Sequence, residues 1–175
     1  MMFKKLLIGI GIIMGIAIGI ILKTDANLNN MKESIEAQPI AKITINQSDI
    51  ELIAKTIYGE ARGCTVMEQS AVVWCILNRV DDGYGTIEEV ITARYQFTGY
   101  KVSNPVEKQF VALAEDVIAR WQMEKYCIGD VGRTLPSDYL FFRGDGKHNH
   151  FRNAYNGDYD IWDWSCDNPY LTVQN

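Results

Sequence analysis

The residues best equipped for chemistry lie in Thr56-Ile57-Tyr58-Gly59-Glu60-Ala61-Arg62-Gly63. They close a short amphipathic pattern that begins near Ser48, where Ser48 and Glu51 have capping-box spacing and Gly63 is a natural stop. Wound at about 100° per residue, positions 49–62 put Ile50, Ile53, Ala54, Ile57 and Ala61 on one stripe. Glu60 falls roughly 20° outside Ile53, at the edge of that stripe, whereas Glu51, Lys55 and Arg62 turn toward water. A carboxylate at a core edge is costly to ionise, so burial raises its pKa toward a range useful for proton donation. The bland alternative is a Glu60 paired with a basic residue or reaching past the stripe to water.

Other chemistry-bearing residues are sparse. The chain has two histidines, in His148-Asn149-His150, and four cysteines, Cys64, Cys75, Cys127 and Cys166. No CxxC spacing occurs, which speaks against a structural zinc site. His148 and His150 with Asp145 would be the donors of a metal-dependent amidase, the weaker alternative; no metal and no cofactor is expected. The His-Asn-His letters resemble a nuclease motif, but 17 basic against 22 acidic residues leave no surplus to neutralise phosphates, so no nucleic-acid partner is expected. Outside the cytoplasm an even cysteine count suggests disulfides, with Cys127–Cys166 the favoured pair because both sit in the more irregular half of the chain. Cys75 reads as a buried small hydrophobe.

The elements that must position Glu60 emerge from the pattern along the 175 residues, 47% of them apolar, enough for one core. Lys4 and Lys5 precede an unbroken apolar run over 6–22, about 26 Å long as a helix against a ~30 Å hydrocarbon layer. Residues 1–23 therefore read as a signal anchor or a signal peptide, either of which exports the downstream chain. As an anchor it gives a single-pass protein of the cell membrane with the domain outside the cytoplasm; cleaved, it gives a secreted one. Gly11, Gly15 and Gly19 form a small-residue face suited to weak self-association in a bilayer. Residues 24–47 are polar and read as a tether, with a weak strand pattern over 40–45.

The domain, 48–175, begins with the Glu60 helix. Over 66–80 apolar residues occupy nearly every azimuth, as in a helix buried on most sides. Asp81-Asp82-Gly83-Tyr84-Gly85 ends it, and Thr86 caps a short helix over 87–92. A loop over 94–100 comes next. Asn104-Pro105 has the form of an N-cap and first-turn proline, opening a helix that runs to about Met123. Tyr139-Leu140-Phe141-Phe142 fits a strand, and the remainder is loop rich in Gly, Asn, Asp and aromatics. The expected class is α+β, mainly α, with a small C-terminal β or loop lobe.

The first of these blocks carries a resemblance. Residues 52–63, then Gln69-Ser70-Ala71-Val72-Val73 and Ile76-Leu77-Asn78-Arg79-Val80, are similar to the cell-wall hydrolase family of the spore-cortex-lytic enzymes. Gln96-Phe97-Thr98 resembles that family's Gln-Phe-Ser element, and 139–142 resembles its aromatic strand. The likeness spans roughly 49–155. It implies a lysozyme-like fold acting on peptidoglycan glycan strands, with the motif glutamate, here Glu60, as catalytic acid. Two positions depart from the family: Cys64 stands where an acidic residue commonly follows the motif, and Arg143-Gly144 replaces an Asn-Pro.

Glycosidic cleavage needs a proton on the leaving oxygen as positive charge develops at the anomeric carbon, and hydrolases usually add a second carboxylate. Asp81, Asp82, Glu88, Glu89 and Asp145 are the candidates for that place. A lytic transglycosylase does without it, because the muramic-acid 6-hydroxyl attacks and the same glutamate takes its proton. The resulting expectation is cleavage between N-acetylmuramic acid and N-acetylglucosamine by Glu60 alone. The alternatives are muramidase-type hydrolysis and a membrane-tethered glycan-binding module without turnover. Gln96 and Thr98 are candidates for hydrogen bonds to sugar hydroxyls or acetamides. Phe97, Tyr139 and Phe142 are candidates to line the substrate groove, with core packing as the competing role.

Overall fold

Helix α1 (Gln47–Ala61) forms because its apolar residues recur at helical spacing, and Ile50, Ile53, Ala54, Ile57 and Ala61 are all buried. The computed structural model describes residues 46–126 and 129–171. The anchor or signal expected over 1–23, the tether up to residue 45 and the weak strand over 40–45 lie outside them, as does Cys127. Among the described residues no helix is long and apolar enough to cross a membrane. Asn46, not Ser48, caps α1: its Oδ1 accepts from the Ser48 N–H at 3.2 Å and from the Ser48 hydroxyl at 3.0 Å. Ser48 is thus a donor to the cap, and asparagine satisfies the free amide earlier in the chain than the capping-box spacing suggested.

Helix α2 (Val66–Asp81) runs through the centre, and every residue from 68 to 79 is buried. Trp74, Ile76, Leu77, Val72 and Val73 are among the largest side chains with no exposed surface, each aliphatic worth roughly 1.5–3 kcal/mol. It stops where Gly83 adopts φ 84°, a left-handed conformation that costs glycine little. Helix α3 (Ile87–Thr92) has the expected capping box: Thr86 Oγ1 accepts from the Glu89 N–H, and Glu89 accepts from the Thr86 N–H.

Helix α4 (Lys108–Lys125) packs Phe110, Leu113, Ala114, Val117 and Ile118 against α1 and α2. Its start is later than the Asn-Pro signal. Asn104 does not cap; its Nδ2 donates to Lys55 O at 3.0 Å and to Gly99 O at 2.9 Å, so its side chain is committed to a tertiary contact. Glu107 takes the N-cap position without a side-chain bond.

Strands β1 (Phe141–Gly144) and β2 (Asn149–Arg152) form an antiparallel pair, with Phe142 opposite Phe151 and Gly144 opposite Asn149. The strand starts at Phe141, inside the aromatic run rather than at its head. Carbonyls that Tyr139 and Leu140 would give to a sheet accept from α2 instead, from Asn78 Nδ2 at 3.1 Å and Arg79 Nε at 2.6 Å. The described residues are mainly helical with one small sheet, so the α+β, mainly α class holds.

Candidate functional site

The last turn of α1 faces the β1–β2 hairpin across an open groove of about 660 Å³. Residues 59–64 form one side, and Gly144 with residues 146–149 forms the other. Glu60 stands in this groove, partly exposed. Its Oε1 accepts from the Gly99 N–H at 2.6 Å. Burial pushes the Glu60 carboxyl above the ordinary glutamate value, and the Gly99 N–H opposes that only in part.

That amide reaches Glu60 because two glycines meet. A Cβ on Gly59 would overlap the Gly99 carbonyl, and one on Gly99 would lie 2.5 Å from Gly59 O and 3.0 Å from Glu60 Cδ. The glycine inside α1 costs about 1 kcal/mol of helix propensity relative to alanine, and the crossing of the 94–104 loop is its structural counterpart. Asn104 clamps the same crossing through Lys55 O and Gly99 O.

Among the described residues, no lysine, arginine or histidine forms an ion pair with Glu60, so no basic side chain seals the acid. Arg62, the nearest arginine in sequence, donates to Tyr58 O at 3.2 Å, with its guanidinium over the Tyr58 ring. Cys64, which also lines the groove, has its thiol pushed up to about 12 by burial and by the neighbouring Glu68, so it stays protonated and non-nucleophilic at neutral pH.

The far wall is tied down by Glu68 and Asn149, to which the sequence had given no role. Glu68, 4% exposed, accepts from the Asn149 N–H at 2.6 Å and contacts His148 Nδ1 at 3.3 Å. Asn149 in turn donates from Nδ2 to the main-chain carbonyl of Glu60 at 3.3 Å. His150 is engaged elsewhere, 2.9 Å from Asp145 Oδ2. The two histidines therefore serve different carboxylates, and no group of three or more metal-ligating side chains occurs among the described residues.

None of the remaining predicted site residues lines this groove. Gln96 is exposed, and its Oε1 accepts from Arg79 at 2.8 Å; Thr98 is exposed two residues further on. Phe97 is 4% exposed and packs on Phe142, which also packs on Phe151. Tyr139 is 9% exposed, edge-on to Trp162. The Phe97 and Tyr139 rings are thus covered by the core, where they hold the loop and the hairpin rather than offer a face to the groove. Phe142, on the inner face of the hairpin, is half-buried in the same cluster.

Of the candidate second carboxylates, Asp81 pairs with Lys125 and accepts from Trp121, and Glu89 belongs to the α3 capping box. Asp82 and Glu88 are exposed. Asp145 sits in the hairpin turn beside the groove, held well below the usual carboxylate range by its hydrogen bond to His150 and by the His148 and Lys147 amides. Cys75 is fully buried in α2, and Cys166 is half-buried near Arg133.

Asn78 and Arg79, quoted only as part of a motif, join α2 to both the hairpin and the loop. Asn78 donates to Pro136 O and Tyr139 O; Arg79 donates to Leu140 O and Gln96 and lies over the Phe97 and Phe141 rings. Their signal was a polar pair inside an otherwise apolar helix, which burial obliges to find partners. Comparison with protein-family models, curated proteins and solved structures found no match.

Proposed function

We propose that this protein cleaves the β-1,4 bond between N-acetylmuramic acid and N-acetylglucosamine in peptidoglycan, as a lytic transglycosylase with a lysozyme-like catalytic domain. The observation that carries the reading is Glu60: a carboxyl in an open groove, raised in pKa by burial and without a cationic partner among the described residues. In this reading the carboxyl enters the reaction as the acid, the form that burial favours. It gives its proton to the bridging oxygen while the C1–O bond breaks, then, as the carboxylate, takes the proton of the muramic 6-hydroxyl as that oxygen bonds to C1. The products are a 1,6-anhydro end and a new free 4-hydroxyl, with no net uptake of water.

Gln96 and Thr98, exposed on the loop that carries Gly99, are the side chains this reading gives to sugar hydroxyls or acetamides. The neighbouring Glu68 has one oxygen on the Asn149 amide and the other on His148, so it is poorly disposed to serve as a second catalytic carboxylate. Muramidase-type hydrolysis is the second reading, favoured by Asp145, a firmly ionised carboxylate beside the groove. The reading also takes residues 1–23 as the segment that exports the domain, on the strength of Lys4, Lys5 and the apolar run behind them. Protease added to wall-stripped cells should then remove the domain, and full protection would contradict export.

The deciding experiment digests purified peptidoglycan with the full chain in mild detergent and weighs the muropeptides. Anhydro products, lighter by one water than their reducing counterparts, are expected. Reducing ends alone would mean hydrolysis, and no release would leave a glycan-binding module. Glu60→Gln, nearly isosteric but without a carboxylic proton, should release nothing; cleavage at the wild-type rate would make Glu60 structural.

A further inference from the structure

The groove has two sides from distant parts of the chain, and one series of polar contacts joins them. Glu68, near the start of α2, points its buried carboxylate at the hairpin and accepts the Asn149 N–H at 2.6 Å. Asn149 is itself only 4% exposed, and its side-chain amide donates to the main-chain carbonyl of Glu60 at 3.3 Å. Buried polar groups are costly unless paired, so this arrangement admits few alternatives: release of Asn149 strands a buried carboxylate and a buried amide together. The same Asn149 faces Gly144, where an added Cβ would come within 3.2 Å of its Oδ1, so the asparagine leaves little slack under the opposite strand.

We propose that Glu68 is a positioning residue for the Glu60 acid, acting through Asn149 to hold the hairpin wall of the groove at the last turn of α1. This rests on the glycan-cleaving reading of the groove. Glu68 itself is not catalytic: one oxygen accepts from the Asn149 amide, the other meets His148, and the Cys64 thiol lies beside it. Its effect on turnover is to keep the hairpin at the last turn of α1, adding to the burial that raises the Glu60 carboxyl above its ordinary value. The other ionisable groups on the groove are Arg62 and Cys64 on the α1 side, and Lys147 and His148, with Asp145 beside them, on the hairpin. The 94–104 loop contributes an uncharged N–H, that of Gly99.

The test uses the full chain in detergent with glutamate labelled at the carboxyl carbon, the Glu60 signal being assigned by its loss in Glu60→Gln. Glu68→Ala and Asn149→Ala should each lower turnover on peptidoglycan about tenfold, the scale of one hydrogen bond to a charged group. The double variant should be no slower than the slower single, because both act on one linkage. In each the Glu60 carboxyl should titrate at lower pH than in wild type. Thr86→Ala, which weakens a distant cap, should lower stability and leave that titration unmoved. Glu68→Gln keeps an acceptor for the Asn149 N–H and should recover most of the turnover. Should Glu68→Ala not fold, Asn149→Ala carries the titration alone. Unchanged Glu60 titration in these variants, or single losses that multiply in the double, overturns the inference. A wild-type chain that releases nothing from peptidoglycan sinks the glycan-cleaving reading instead, and the titration still decides whether Glu68 holds the wall.

Discussion

The main-chain N–H of Gly99 lies 2.6 Å from Oε1 of Glu60, and the absence of a side chain on Gly59 is what allows that approach. A carboxylate receiving a backbone N–H is stabilised as the anion, whereas burial favours the protonated acid. Here burial wins, and the Glu60 pKa ends above its ordinary value. The loop contact therefore orients the acid without forcing it to ionise.

Alanine at either glycine should separate the loop from the helix. Gly59→Ala gains helix propensity of about 1 kcal/mol, but its Cβ falls on the Gly99 carbonyl, and overpacking of this kind costs about 1–3 kcal/mol. Thermal unfolding of Gly59→Ala and Gly99→Ala should show lower Tm values than wild type, with the cleavage rate falling further than stability does. A Gly59→Ala chain that is more stable than wild type would mean the crossing is looser than described.

Glu60 should make the folded state less stable as pH rises. Its folded pKa is raised, so the native chain holds a proton that the unfolded chain has released; the stability it contributes is complete below about pH 4.5, the ordinary value, and is lost as pH rises through the folded value. On the proposed mechanism activity should fall over the same rise, since that mechanism starts from the protonated acid. Glu60→Gln has no such titration and should be more stable than wild type at neutral pH while inactive. Tm measured against pH for both chains checks this, and parallel curves would count against a raised Glu60.

Arg79→Ala should be costly, because the guanidinium serves Leu140 O and Gln96 at once and covers two aromatic rings. Loss of hydrogen bonds from a charged donor is worth about 1.5–3 kcal/mol each, so urea unfolding should show a deficit of at least about 2 kcal/mol. Arg79→Lys should rescue little, since an ammonium cannot reproduce the planar fork or its stacking. A fully stable lysine variant would show that charge alone holds the hairpin and loop to α2.

Asn104→Ala and Thr86→Ala separate function from fold. Each removes side-chain bonds to main-chain groups, at a cost of about 0.5–2 kcal/mol for a cap and a similar sum for the Asn104 clamp. Of these two residues, Asn104 alone contacts the loop that presents Gly99 to Glu60. Matched stability losses with a drop in turnover for Asn104→Ala alone are expected from urea titrations and product release. Equal turnover in the two variants would leave the loop contact without a part in the chemistry.

The local grammar of the chain was sufficient for several features. Helical spacing gave α1 and α2, the Thr86-Glu89 pair gave α3 with its cap, and the 100° wheel put Glu60 at the edge of the buried stripe. These depend on neighbours three or four residues apart, which any reader of the sequence can see. The partners that make Glu60 a candidate site were decided by tertiary structure. Gly99 meets it across 39 residues, Asn104 reaches α1 across 49, and Glu68 and Glu60 meet Asn149 across 81 and 89. No periodicity encodes such pairings, so Asn104 read as a cap, Tyr139 and Leu140 as strand, and Glu68 as one more helix residue. Packing reassigned them because buried carbonyls, amides and carboxylates must find partners, and in this fold the nearest ones come from distant segments.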